Sequence, residues 1–237
     1  MLRIQQLEVS RGQGPHAFRV QLPELVLEAG QIVAVTGVSG CGKSTLLETL
    51  GLLLKPTQAK EFRLGKEARD INALYASGRE SELAQWRARN LGFVLQNGGL
   101  LPFLSVWENM VLPRRLLGLP VKADHLDAAI SSLKLERLLN LYPSALSIGE
   151  RQRVAFSRAI AHAPGLVLAD EPTAALDPET AHDVFQLFFS LAKELHLAVL
   201  LVSHDWDSLS EFSIPRLQAR LEPGLSVFVP EVAAPCL

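Results

Sequence analysis

Cysteine is nearly absent. The 237 residues contain only Cys41 and Cys236, near opposite ends of the chain, which gives no disulfide framework and fits a reducing cytosol. Long apolar runs are missing too: stretches such as Leu197 to Val202 fall far below the roughly 18 to 20 residues needed to cross a bilayer. There is no excess of basic charge. Lys and Arg number 23 against 25 Asp and Glu, a formal charge of −2, so the chain lacks the cationic surface that would neutralise nucleic-acid phosphates, and nucleic acid is not an expected partner. The opening "MLRIQQLEVS" alternates like a strand and has no charged segment leading into an apolar run, so no secretory signal is expected. No repeat, low-complexity tract or Gly/Ser linker divides the chain. What remains is 48% hydrophobic and 20% charged, the composition of a folded protein, and the length suits one large α/β domain over residues 1–237.

Apolar strands alternate with helices. "QIVAVT" (31–36) enters a glycine cluster, and Lys43 to Leu53 then reads as a helix. "KPTQAKEFRLGK" reads as a turn and a short strand, Ser81 to Arg89 as a helix, and "LGFVLQ" as a buried strand. Ser105 and Glu108 have capping-box spacing ahead of a helix toward Leu117, with Arg114 and Arg115 expected at its solvated end. Asp124 to Leu135 reads as helical. "GLVLAD" (165–170) and "LAVLLVSHD" (197–205) are strands ending in polar groups, and the helix between them has Asp177 as N-cap and Pro178 at its first position. This alternation predicts a parallel sheet covered on both faces, with ligands collecting beyond the carboxyl ends of its strands.

Two segments carry the chemistry. "GVSGCGKST", Gly37 to Thr45, is a phosphate-loop pattern between a strand and a helix. Gly37, Ser39, Gly40, Cys41 and Gly42 let backbone N–H groups curl around phosphate oxygens, Lys43 reaches the β- and γ-phosphates, and Ser44, followed by Thr45, offers a hydroxyl to Mg²⁺. "LVLADEPT" supplies two acids at a strand end: Asp170 for Mg²⁺, often through water, and Glu171 for a water attacking the γ-phosphate. His204, at the next strand end, is placed to sense the γ-phosphate.

The stretch "LSIGERQRVAFSRAI" narrows the field. Ser147 and Glu150 form a capping box, yet a helix start with Ser147 and Gly149 is also an anion site, and one nucleotide has no evident room for two such sites from one chain. A symmetric partner resolves the excess, each chain's second site closing over the nucleotide held in the other's first.

These motifs resemble the nucleotide-binding subunit of ABC (ATP-binding cassette) transporters over about Leu2 to Phe228. Walker A matches 37–45, the Q-loop Gln96, the signature 146–150, Walker B the strand ending at Asp170, the D-loop "AALD" ending at Asp177, and the switch histidine His204. The wording "LLPFLSVWENM" and "LVLADEPTAALDPET" is most similar to the lipoprotein-releasing, macrolide-export and cell-division subgroup. The resemblance implies a P-loop NTPase fold with a mainly parallel sheet core, an antiparallel β lobe and a helical subdomain, at about 97–149 between core segments 1–90 and 150–237. It implies ATP and Mg²⁺ as cofactors, hydrolysis at a homodimer interface, and a transmembrane permease partner that holds the chain on the inner face of the cytoplasmic membrane. Gln96, Glu171 and His204 would serve catalysis, and Ser44, Gln96 and Asp170 the metal. Ser147, Gly149 and Glu150 would act in trans, and Asp177 would cross between sites.

The chain departs from the resembled pattern at three places. Ile148 replaces the usual signature glycine, and closure is expected to be weakened or slowed rather than abolished, because Ser147 and Gly149 remain. No Tyr or Trp stands near Arg11 to stack on adenine, leaving Arg11 or His16, while Phe18 belongs to the core. Ala59 replaces a turn glycine. Cys41 is read as a small residue filling the loop. Trp107, with Leu100, Leu101, Pro102 and Phe103, forms either a contact patch for the membrane partner or part of the core. A different-class alternative is a soluble ABC-type ATPase on DNA or ribosomes, but the chain has neither room for a long coiled coil nor a second cassette. A signalling ATPase of the cell-division type is the other alternative. A small GTPase or P-loop kinase is disfavoured by the signature and by the lack of N-K-x-D. Cargo and direction are not encoded here.

Overall fold

The computed structural model describes residues 1–12, 17–204, 209 and 211–231. His16, Asp205 and Cys236 lie outside them. Strands β1 (Leu2–Arg11) and β2 (Phe18–Leu27) form an antiparallel pair, and a fully buried β3 (Ile32–Thr36) leads into α1 (Lys43–Leu50). The pair β4 (Glu61–Leu64) and β5 (Arg69–Asp70) follows, then α2 (Ile71–Ala76), α3 (Glu80–Asn90) and β6 (Leu91–Val94). Next come α4 (Val106–Leu116), α5 (Asp124–Ser132) and α6 (Ile148–Ile160). The chain returns to the sheet through β7 (Leu166–Asp170), α7 (Pro178–Glu194), β8 (Ala198–Val202), β9 (Arg216–Glu222) and β10 (Leu225–Pro230).

One curled sheet runs β5-β4-β1-β2-β10-β9-β3-β8-β7-β6. Its half from β9 to β6 is parallel, and the β1, β2, β4 and β5 lobe is antiparallel. The central strands read as unbroken apolar runs because successive residues enter different cores. In β7, Leu166 and Leu168 pack toward the β lobe and α1, while Val167 and Ala169 pack toward α4, α5, α6 and α7. β8 divides the same way, with Leu200 and Val202 on one side and Val199 and Leu201 on the other. Burial on both faces removes the polar alternation that a half-exposed strand would show. Gly92 in β6 allows α6 to come close, since a Cβ there would stand 2.2 Å from the Ala159 carbonyl oxygen.

The structure alters several sequence expectations. α1 stops at Leu50 rather than Leu53, and α5 at Ser132 rather than Leu135. Both end by reversing through a left-handed residue, Leu52 (φ 58°) or Lys134 (φ 55°), after which Leu53 N–H donates to Glu48 O and Leu135 N–H to Ile130 O, each at 2.9 Å. Glycine usually marks that position, and its absence hid both ends. The helix α2 is additional, capped by Asp70 through Ala73 N–H. Arg114 is not a solvated end: it is 7% exposed and donates to the carbonyls of Ala161, at 2.8 Å, and Pro120. Its guanidinium satisfies carbonyls that helix ends and turns leave unpaired.

Candidate active site

The phosphate loop is built against the β lobe. Gly42, the N-cap of α1, has φ 90°, and a Cβ on it would meet Val20 Cγ2 at 2.5 Å and Phe18 Cε1 at 3.2 Å. Only glycine meets both constraints, the left-handed backbone and the contact with β2. Lys43 is buried, and its ammonium donates to the carbonyls of Gly37 (2.9 Å) and Val38 (3.1 Å), so the loop closes around its own lysine. Cys41 is 1% exposed and packs beneath Gly37, in the small filling role expected of it, while Ser39, Gly40 and Ser44 are exposed and Thr45 half-buried. Phe18 packs partly buried against the core, as expected, and Arg11 is ion-paired with Glu48 of α1.

Sheet register gathers the next residues. Val94, Ala169 and Leu201 are paired across β6, β7 and β8, so the chain segments carrying Gln96, Glu171 and His204 leave one edge of the sheet together. Glu171 has φ 44°, a left-handed conformation that costs an ordinary residue roughly 1–2 kcal/mol. Its N–H is held by Val202 O at 2.8 Å. From there Glu171 Oε2 lies 3.4 Å from Gln96 Nε2 and 3.3 Å from His204 Nδ1. Beside it lies Asp170, with the Ser44 side chain close to its carboxyl. Burial pushes the Asp170 carboxyl above its usual range and the neighbouring Glu171 charge adds to this, while Ser44 and Lys43 oppose it. Lys43, Ser44, Gln96, Asp170, Glu171 and His204 therefore form one neighbourhood.

The signature residues find their partners elsewhere. Ser147 caps α6, accepting from Glu150 N–H at 3.2 Å, and Glu150 Oε2 accepts from Ser147 N–H at 2.7 Å. Ile148 is 40% exposed beside a buried Gly149, where a Cβ would press on Thr180 at 3.2 Å. Asp177 caps α7 through Thr180 N–H at 3.0 Å, which holds its carboxyl below the usual range. Signature and D-loop are thus packed together as two helix starts.

Sequence reasoning passed over Gln152, whose amide donates to Gln96 O at 2.6 Å, and Arg158, which donates to Gly99 O (2.7 Å) and Gly98 O (2.8 Å). A signal was present for Gln152 alone, a polar residue within the apolar face of α6; Arg158, six residues on, lies about 120° around the helix from it. Trp107 is half-buried against the helical core, and Phe103 is 72% exposed, so the two readings of that patch divide between residues.

The family profile described as ABC transporter matches residues 21–174. The lipoprotein-releasing system ATP-binding protein LolD of Idiomarina loihiensis is 41% identical over 208 residues, covering 86% of this chain and 88% of that protein. The protein of the same name from Paramagnetospirillum magneticum is 43% identical over 185 residues, covering 77% of this chain and 79% of its own. Among solved structures, the dimeric bacterial ABC transporter cassette MJ0796 superposes with a TM-score of 0.77 at 30% identity, over 95% of this chain and 96% of that one.

The raised Asp170 pKa has a testable sign. The folded state holds this proton more tightly than the unfolded chain, so stability falls as pH rises from the unfolded value of 3.8 through the folded one. Asp170→Asn should therefore raise the urea midpoint of nucleotide-free protein at neutral pH, with the gain vanishing below pH 3.8. An equal gain at all pH values would contradict this account.

Proposed function

The chain belongs to the ABC transporter family as an ATP-binding, ATP-hydrolysing subunit, and from that premise we propose that two copies sandwich two Mg-ATP molecules to drive a transmembrane partner. The observation that carries this reading is the separation just described: a cluster of Gln96, Glu171 and His204 at the sheet edge, and a second helix start at Ser147 whose contacts run to Glu150 and the start of α7 instead. A solved relative that is itself a dimeric cassette supports the same arrangement. Loop N–H groups and Lys43 would hold the β- and γ-phosphates, an exchange in which the ammonium leaves the carbonyls of Gly37 and Val38. The Ser44 hydroxyl and the Asp170 carboxylate are hard oxygen donors suited to Mg²⁺, which would neutralise phosphate charge there. Among the described residues no three His, Cys, Asp or Glu are placed to hold a metal, which fits a cation bound largely through the nucleotide and water. Glu171 would accept the proton of the attacking water, Gln96 would complete the shell, and His204 would contact the γ-phosphate. Ser147 and Gly149 would reach the nucleotide of the partner copy, with Asp177 between the sites.

We place the permease contact on the helical segment 97–149 and the adjacent edge of the core. A groove of about 330 Å³ lies there, lined by Leu91, Phe93, Leu101, Leu112, Leu116 and Leu117 among others, with Phe103 and Leu116 (79% exposed) presenting further apolar surface. Apolar surface of this kind suits a helix laid into it. No described helix is long and apolar enough to cross a membrane. Curated relatives named for a lipoprotein-releasing system support that kind of system as the setting, with the chain held at the cytoplasmic face through its partner.

Three outcomes are expected. Glu171→Gln with saturating Mg-ATP should elute as a dimer, with hydrolysis reduced at least about 100-fold; a persistent monomer, alone and beside its membrane partner, would end the sandwich reading. Ile148→Gly should raise ATPase turnover of the complex by about 2- to 5-fold, an easing of closure by about 0.4–1 kcal/mol, and unchanged turnover would remove the steric argument. Tagged chain should recover a polytopic membrane protein from solubilised native membranes, and Leu116→Asp should lower that recovery about tenfold, or about 1.4 kcal/mol of affinity. Undiminished recovery would move the contact elsewhere.

A further inference from the structure

Gln152 lies on the buried face of α6, 3% exposed, five residues beyond the Ser147 cap. At 1.5 Å per residue that is about 7.5 Å along the helix axis. Its Nε2 donates to the main-chain oxygen of Gln96 at 2.6 Å, while its Oε1 is buried with no hydrogen-bond partner among the described residues. An amide half satisfied in this way is unfavourable as core packing, and a methionine of similar length would fill the space without an orphaned oxygen. Six residues on, about 120° around the helix, Arg158 holds the carbonyls of Gly98 and Gly99. Segment 96–99 is therefore strapped along α6, with Gln152 holding the residue whose own side chain meets Glu171.

We infer that Gln152 is a positioning residue: it ties the start of the signature helix to the hydrolytic cluster of its own chain, so that engagement of one nucleotide sets the water shell of the other. This rests on the two-copy sandwich proposed above. In that arrangement the start of α6 docks on the nucleotide held by the second copy. The hydrogen bond at Gln96 O carries any displacement of α6 directly into the segment bearing the Gln96 amide, which lies 3.4 Å from Glu171. Arg158 anchors the far end of the segment, where it also lines the apolar groove, and so limits how much of the shift is absorbed there. Coupling through a rigid helix and a single buried bond needs no other moving part.

Gln152→Met, made alone and with Glu171→Gln, separates positioning from packing. The double variant should dimerise with Mg-ATP within about twofold of the Glu171→Gln affinity, while the single variant loses at least about fivefold in kcat with KM within about twofold. Turnover reduced less than fivefold, or dimerisation lost in proportion to turnover, would overturn the inference and leave the sandwich standing. Failure of Glu171→Gln itself to dimerise would overturn both. If Gln152→Met does not fold, Gln152→Glu decides the matter: only its protonated carboxyl can donate to Gln96 O, so its turnover relative to wild type should rise as pH falls from about 8 to about 6. A flat ratio would overturn the inference.

Discussion

Glu171 stands where strand order, backbone strain and chemistry meet. Its left-handed backbone is held because its N–H pairs with Val202 of the neighbouring strand, so β8 fixes the direction in which the carboxylate leaves β7. Without that anchor the residue would relax toward an extended conformation, and its carboxylate would leave Gln96 and His204. The strain is affordable because β7 and β8 are buried on both faces and cannot shift separately.

The same sheet links the cluster of Gln96, Glu171 and His204 to the phosphate loop. β3 lies beside β8 in register and delivers Gly37 at the edge where β7 delivers Asp170. Burial and the neighbouring Glu171 charge keep the Asp170 carboxyl above its usual range, against the opposing influence of Ser44 and Lys43. Lys43 meanwhile occupies the carbonyls of its own loop. On the function proposed above, these charges would find their partners in a triphosphate and a divalent ion.

The helical segment adds a different kind of constraint. α6 packs against β6 closely enough that only glycine fits at 92, and it grips segment 96–99 through Gln152 and Arg158. Arg114 and His125 both meet the Ala161 carbonyl near the other end of the helix, so α4, α5 and α6 are joined by polar contacts as well as by their shared core. A helix held at both ends transmits displacement better than one embedded in side chains alone.

Local patterns carried a large part of this in advance. The phosphate loop, the strand-end acids, the capping boxes at Ser105 and Ser147 and the Asp177 cap are short-range features, written by residues within a few positions of one another, and they read directly from the chain. The helix ends at Leu50 and Ser132 did not, because the left-handed residues that close them, Leu52 and Lys134, are not the glycines that usually mark such a turn. Burial of Arg114 and Gln152 escaped for another reason: their partners, Ala161 and Gln96, are 47 and 56 residues away. Sequence alone determined which groups could do phosphate chemistry, since that depends on residue type and local spacing. Only tertiary structure decided which of them meet, because strand register and helix packing set distances between segments that share no local signal.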